Sequence, residues 1–373
     1  MAKEIPSSTF TKSLPKVELH AHLTGSISPS CLHQIWKQKT SSTSTSSTTL
    51  QDPTIALAPP KNKTHHDIST FFKIFDTYIY ALVNSPETVT WATQSVLKAF
   101  ETDGVKYLEV RTTPRECVET GMTKEKYLEA VVKGIEEFDS LSASSTSASA
   151  SFSSSSNSLS TRLILSIDRR NSLEQAMQVI DLAIHYREKG IVGIDLCGNP
   201  MVGPVRHLAP AFSRAKAEGF KLTLHFAEVP ASSSEEEMRM LLLEWRPERI
   251  GHVIYTSPEI EGEIEKLGTG LELCLSCNVL AKMLPGKAGF DAHHFAKWRK
   301  KRNPIALSTD DVGVFGSPVS NEYLLAAQHF DLDGDDLIEL SRSAVASIFG
   351  GDSEKARLYS LLDLFAKESS LDK

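Results

Sequence analysis

A chain of 373 residues with 40% hydrophobic side chains can bury a large core, and its length fits one large α/β barrel or two ordinary domains. Lys and Arg total 40 against 47 Asp and Glu, a formal net charge of -7 without a basic block, which argues against a nucleic-acid polymer as partner but leaves a small nucleotide open. No stretch approaches the roughly 20 apolar residues of a membrane helix, Met1 to Phe10 is polar and broken by Pro6 with no secretory core, and five scattered cysteines suit a reducing compartment, so the expectation is a cytosolic (cytoplasmic) protein with no membrane partner.

The first element is a strand over Val17 to His22. Side chains at i and i+2 of a strand point the same way, so His20 and His22 project from one face, as a shared metal ion requires. Residues 40–49 are nearly all Ser and Thr, and residues 140–160 are mostly Ser; neither tract holds enough apolar surface to offset the entropy of ordering it, and both are expected to be disordered insertions. Between Asp52 and Ala81, Phe71, Phe72 and Phe75 recur at helical spacing, which suits a packed helix face or an apolar helical lid over a site.

Short β-rich runs then alternate with amphipathic helices. The further strands are Val105 to Arg111, Arg162 to Ile167, Ile191 to Asp195, Lys221 to Ala227, Arg249 to His252, Leu271 to Cys274 and Pro304 to Ser308. Helical periodicity covers Ser172 to Lys189, Val205 to Glu218, Ser234 to Trp245, Pro258 to Leu267 and His293 to Arg302, with closing helices over Ser320 to Phe330 and Asp335 to Lys367. Eight strands alternating with helices predict a parallel (β/α)8 TIM barrel, a single domain over residues 1–373.

A barrel carries its chemistry at the C-terminal ends of its strands. There the sequence places His20 and His22, then Asp195 to Asn199, then His225 to Glu228, then His252, then Asp310 and Asp311. Three histidines and an aspartate make a zinc or iron donor set, with Glu228 and His252 as titratable neighbours. Three other patterns carry less. Cys274 and Cys277 read as a packing pair on a barrel strand, the cytidine-type deaminase signature is missing, and Asp331 to Asp335 has its glycine too early for a calcium loop.

The segments LPKVELHAHLTGSIS, VKYLEVRTTPRE, GIVGIDLCGNP, TLHFAEVP, RIGHVIY, ELCLSCNVL and LSTDDVGVFGSPVSNEY resemble the adenosine deaminase superfamily of metal-dependent hydrolase barrels along nearly the whole chain. Within it, RTTPR, LILSIDRR, GNP and HFAEVP point to the branch that acts on N6-methylated nucleotides. The resemblance implies one Zn2+ per chain held by His20, His22, His225 and Asp310. It implies Glu228 as the acid that protonates purine N1, His252 as the residue that orients and deprotonates the attacking water, Asp311 as the partner of water and purine N7, and Gly198 as the backbone contact to N3.

The implied reaction is hydrolytic deamination of N6-methyl-AMP, a purine nucleoside monophosphate, to IMP and methylamine, by a monomer. Zinc supplies a nucleophile by lowering the pKa of water towards about 7, and a proton on N1 keeps charge from accumulating on the ring. Adenosine deaminases carry an aspartate at the position of Thr24, where it would repel a 5'-phosphate. The neutral Thr24, with Thr112, Thr113 and Arg169 or Arg170, is the expected phosphate site, and Phe72 and Phe75 are expected against the substrate. Ala227 stands where the family often has glycine, which crowds the base. The alternatives are an adenosine deaminase acting on the free nucleoside and a nucleotide-binding protein without catalysis.

Overall fold

Eight strands form one parallel sheet in sequential order: β1 (Lys16–His22), β2 (Val105–Thr112), β3 (Ser160–Asp168), β4 (Ile191–Cys197), β5 (Lys221–Phe226), β6 (Arg249–His252), β7 (Gly270–Leu273) and β8 (Ile305–Leu307). The computed structural model describes residues 3–41, 50–60, 63–146 and 158–371. The sheet closes on itself through β1 and the residues after β8, where His22 N–H donates to the Asp310 carbonyl at 3.0 Å and Asp310 N–H to the His20 carbonyl at 2.8 Å. A (β/α)8 barrel results, as the alternation of strands and helices predicts.

The strands are buried on both faces, which is why they read as continuous apolar runs such as Leu163, Ile164 and Leu165, all fully inaccessible. The helices between them start on legible signals. Ser172 accepts from Gln175 N–H in a capping box before Leu173–His185, and Ser257 accepts from Ile260 N–H before Pro258–Leu267. Among the described residues no helix is long and apolar enough to cross a membrane, and all five cysteines are free.

Four expectations need correction. Residues 40–41 end the helix Pro29–Ser41, residues 140–146 belong to the helix Lys124–Thr146 and residue 160 opens β3; residues 42–49 and 147–157 lie outside the described residues. The closing helix over 335–367 is two helices, Gly334–Ala346 and Asp352–Leu371, because the chain turns through Gly350 and Gly351, the latter at a left-handed φ of 87°. The helix over 293–302 shrinks to Phe295–Trp298, with the His293 ring accepting the Phe295 N–H. Cys277 is not on a strand but on the helix Leu275–Leu280 that follows β7.

Candidate active site

At the C-terminal ends of the strands, four donor atoms converge. His20 Nε2 and His22 Nε2 lie 3.2 and 3.1 Å from His225 Nε2, and Asp310 Oδ1 is 3.4 and 3.3 Å from the Nε2 atoms of His20 and His22. Ligands about 2.0–2.1 Å from a tetrahedral zinc stand roughly 3.3–3.4 Å from one another, so this spacing is that of a coordination shell. Two of the three outer ring nitrogens are occupied: His20 Nδ1 donates to Glu272 Oε2 at 2.6 Å and His225 Nδ1 to Asp195 Oδ1 at 3.1 Å. With those protons on Nδ1, the Nε2 lone pairs of His20 and His225 face one another beside a carboxylate, an arrangement that repels itself unless a proton or a metal cation lies among them. Against burial and Arg111, Asp310 and Glu272 raise the His20 imidazole to about 9, which marks how strongly the site attracts positive charge. The donor set therefore fits a divalent metal, and the acids behind the histidines are the usual means of orienting such ligands.

Those two acids share one cation. Arg111, fully buried in β2, donates to Asp195 Oδ1 at 3.2 Å and to Glu272 Oε2 at 2.7 Å. Burial pushes the Glu272 carboxyl upward, but Arg111 and Arg249 outweigh it and hold the group well below the usual carboxylate range. Asp195 is likewise held low against its burial, by His225 and Arg111. Arg249 extends the network downward, donating to Glu272 Oε1 at 2.6 Å and Glu109 Oε2 at 2.5 Å.

The backbone around the donors is unusual. Ala227, His252, Val253 and Asp310 have φ of 48°, 64°, 56° and 60°, in the left-handed region that costs a non-glycine residue energy and recurs at functional sites. The tendency towards glycine at the position of Ala227 follows from that angle rather than from crowding of the base. Two glycines make room for the site itself: a Cβ on Gly25 would fall 1.4 Å from Asp311 Oδ1, and one on Gly251 2.5 Å from the His20 ring.

Above the donors lies a cavity lined by His22, Thr24, His225, Glu228, Asp310 and Asp311, with Gly198 on its wall and Phe71, Phe72 and Phe75 across from them. The phenylalanines belong to Ile68–Ile74 and the π-helical turn Phe75–Ile79, so this segment covers the strand ends while Phe71 and Phe75 are themselves buried. Burial pushes the Glu228 carboxyl up to about 8, and the Asp310 carboxylate adds to the effect. Asp311 is pushed well above its usual range by burial, then by Asp310 and Glu228. It precedes the short helix Val312–Phe315 without capping it. His252 does not line the cavity; it lies beneath, with Nε2 3.9 Å from both Glu228 Oε1 and Asp310 Oδ2.

The expected phosphate residues separate. Thr24, Thr112, Thr113 and Arg170 line the cavity, although the Thr112 hydroxyl already shares a 2.6 Å hydrogen bond with Tyr127. Arg169 is corrected: in the turn that follows β3 its guanidinium is buried against Glu237 at 2.5 Å and does not line the cavity. Arg170 is half-exposed and pairs with Asp168 at 2.7 Å and Asp76 at 3.4 Å. Arg115, which sequence reasoning missed, also lines the cavity, its guanidinium stacked on the rings of Tyr80 and Tyr127 at 4.6 and 4.5 Å. Arg111, Glu272, Asn278, Cys277 and His293 were missed too; charged residues inside apolar strands, as at 111 and 272, were the available signal. Cys277 donates its thiol to Asp310 Oδ2 at 2.8 Å.

Known proteins share this arrangement of the chain. An N6-mAMP deaminase of Arabidopsis thaliana is 35% identical over 96% of this chain and 99% of that protein, and a human N6-methyl-AMP deaminase is 34% identical over 94% and 92%. A crystal structure of Arabidopsis ADAL complexed with IMP superposes with a TM-score of 0.83 at 34% identity, covering 96% of this chain and 99% of that one. The family model described as adenosine deaminase matches residues 15–365, from the residue before β1 into the last helix. A match of that extent leaves one assignment, and the chain belongs to the adenosine deaminase family.

Proposed function

We propose that this chain is a zinc-dependent hydrolase that converts N6-methyl-AMP to IMP and methylamine. The observation that carries the nucleotide over the nucleoside is the cavity wall, where the neutral Thr24 hydroxyl stands with Thr113, Arg115 and Arg170 and no carboxylate occupies the position of Thr24. Relatives at 34–36% identity over nearly their full length are named N6-methyl-AMP deaminases, which supports the same reading.

His20, His22, His225 and Asp310 would hold the metal, which when bound makes water a nucleophile near neutral pH. Glu228, kept protonated by burial, gives its proton to purine N1 as oxygen adds to C6. Asp311, its carboxyl raised by burial and by Asp310, faces N7, and Gly198, held at a left-handed φ of 98°, offers its backbone to N3. His252 orients the incoming oxygen from below. Phe72 and Phe75 cover the purine and keep bulk water out, and the C6–N6 bond breaks to release the amine. The reading includes a monomer, and free cysteines suit a reducing cytosol.

Turnover of N6-methyl-AMP, AMP, N6-methyladenosine and adenosine tests the proposal. The expected order places N6-methyl-AMP first by kcat/KM, and a preference for adenosine would overturn it. Thr24→Asp should lower kcat/KM for the nucleotide about tenfold and leave the nucleoside little changed, because the new carboxylate faces the phosphate.

A further inference from the structure

His252 has two ring nitrogens, and the one that holds the proton decides whether the residue donates or accepts at the reacting oxygen. Its ring is fully buried, and Nε2 has no hydrogen-bond partner of its own between Glu228 and Asp310. A chain of three hydrogen bonds, starting from the backbone, settles the matter. The N–H of Phe295 can only donate, and its acceptor is His293 Nδ1 at 3.0 Å. The His293 ring is neutral, since burial holds it well below the ordinary imidazole range. Its proton is therefore on Nε2, which donates to Asn278 Oδ1 at 3.1 Å.

That bond orients the Asn278 amide. Its NH2 group then faces His252 Nδ1 at 3.0 Å, with the Met283 sulfur at 3.8 Å as a second, weak acceptor. The flipped amide would set two donors face to face at His293 and point its oxygen at the thioether. His252 Nδ1 is thus an acceptor, and the proton of the neutral ring sits on Nε2.

We propose that Asn278 and His293 are positioning residues that fix the Nε2–H tautomer of His252, so that His252 meets the oxygen adding to C6 as a hydrogen-bond donor and does not take its proton. Only the naming of that oxygen rests on the deaminase reading; the tautomer follows from the protein alone. The expectation that His252 deprotonates the water narrows to orientation, because this tautomer has no lone pair at Nε2.

Nitrogen-15 NMR of histidine-labelled, zinc-loaded protein reads the tautomer directly, with the His252 signals identified by their loss in His252→Phe. The expected result is a protonated Nε2 and a bare Nδ1. In Asn278→Asp a carboxylate replaces the donor, pulls the proton onto Nδ1, and should lower kcat roughly 100-fold with KM nearly unchanged. His293→Gln keeps a donor for Asn278 and should retain most activity and the wild-type tautomer, whereas His293→Leu should lose both. A wild-type His252 protonated on Nδ1, or an inverted tautomer in Asn278→Asp with kcat intact, overturns the proposal. Should Asn278→Asp not fold, the wild-type spectrum and the two His293 variants carry the test. Protein that shows the Nε2–H tautomer yet turns over no purine nucleotide would sink the deaminase reading and leave the relay standing.

Discussion

Glu228 is an acid because of where it is buried. A carboxyl titrating near 8 is protonated at neutral pH, and its proton is lost as pH rises through that value. The alkaline limb of kcat/KM should therefore follow Glu228, and a bound cation can move that limb only towards lower pH. Glu228→Gln should cut turnover by about 10²-fold or more while retaining metal, measured by metal analysis beside steady-state rates; full activity in that variant would refute the assigned acid. His20 and His22 were legible because i, i+2 spacing in a strand decides direction without tertiary help. Arg169 and Arg170 were not separable, because which of two adjacent arginines meets the cavity depends on Glu237, a partner 68 residues away in sequence. The Asn278 to His293 relay was illegible for the same reason: neither residue has a local pattern.

At the scale of elements, β-runs and caps located all eight strands, whereas the short helices after β7 and β8 escaped notice. The helix Leu275–Leu280 brings Cys277 to Asp310 and Asn278 to His252, and what holds it is a buried carboxylate from a later helix. Glu322, on Val319–Phe330, accepts from Ser276 N–H at 3.1 Å and from the Ser317 hydroxyl. Burial raises the Glu322 carboxyl from 4.5 to about 7. A carboxyl raised in the folded state contributes stability that is fully present below its unfolded value and is lost as pH rises through the folded one. The melting temperature of the wild type should thus fall relative to Glu322→Gln between about pH 4.5 and 7; parallel curves for the two proteins would show that Glu322 stays ionised.

The barrel interior is crossed by a buried charge network from Glu109 through Arg249 and Glu272 to Arg111 and Asp195, ending on His20 and His225. Such groups are costly to bury and costlier to leave unpaired. Arg111→Met would leave Asp195 without its arginine and Glu272 with Arg249 alone, and should weaken metal affinity by about 10–100-fold in a chelator competition and lower stability by about 3–5 kcal/mol in denaturant unfolding. An unchanged metal affinity would mean that Asp195 and Glu272 orient the histidines without it. The lower end of this network is completed by a segment far along the chain: Phe349 donates its N–H to Glu109 and stacks on Arg249 at 3.6 Å, while Ser347 accepts from Arg249 at 2.8 Å. During synthesis, the strands that hold His20 and His225 emerge long before these partners do. All four metal donors thus precede in sequence the residues that complete the network behind two of them, so the support of His20 runs through Glu272, Arg249 and Glu109 to a segment 329 residues further along the chain.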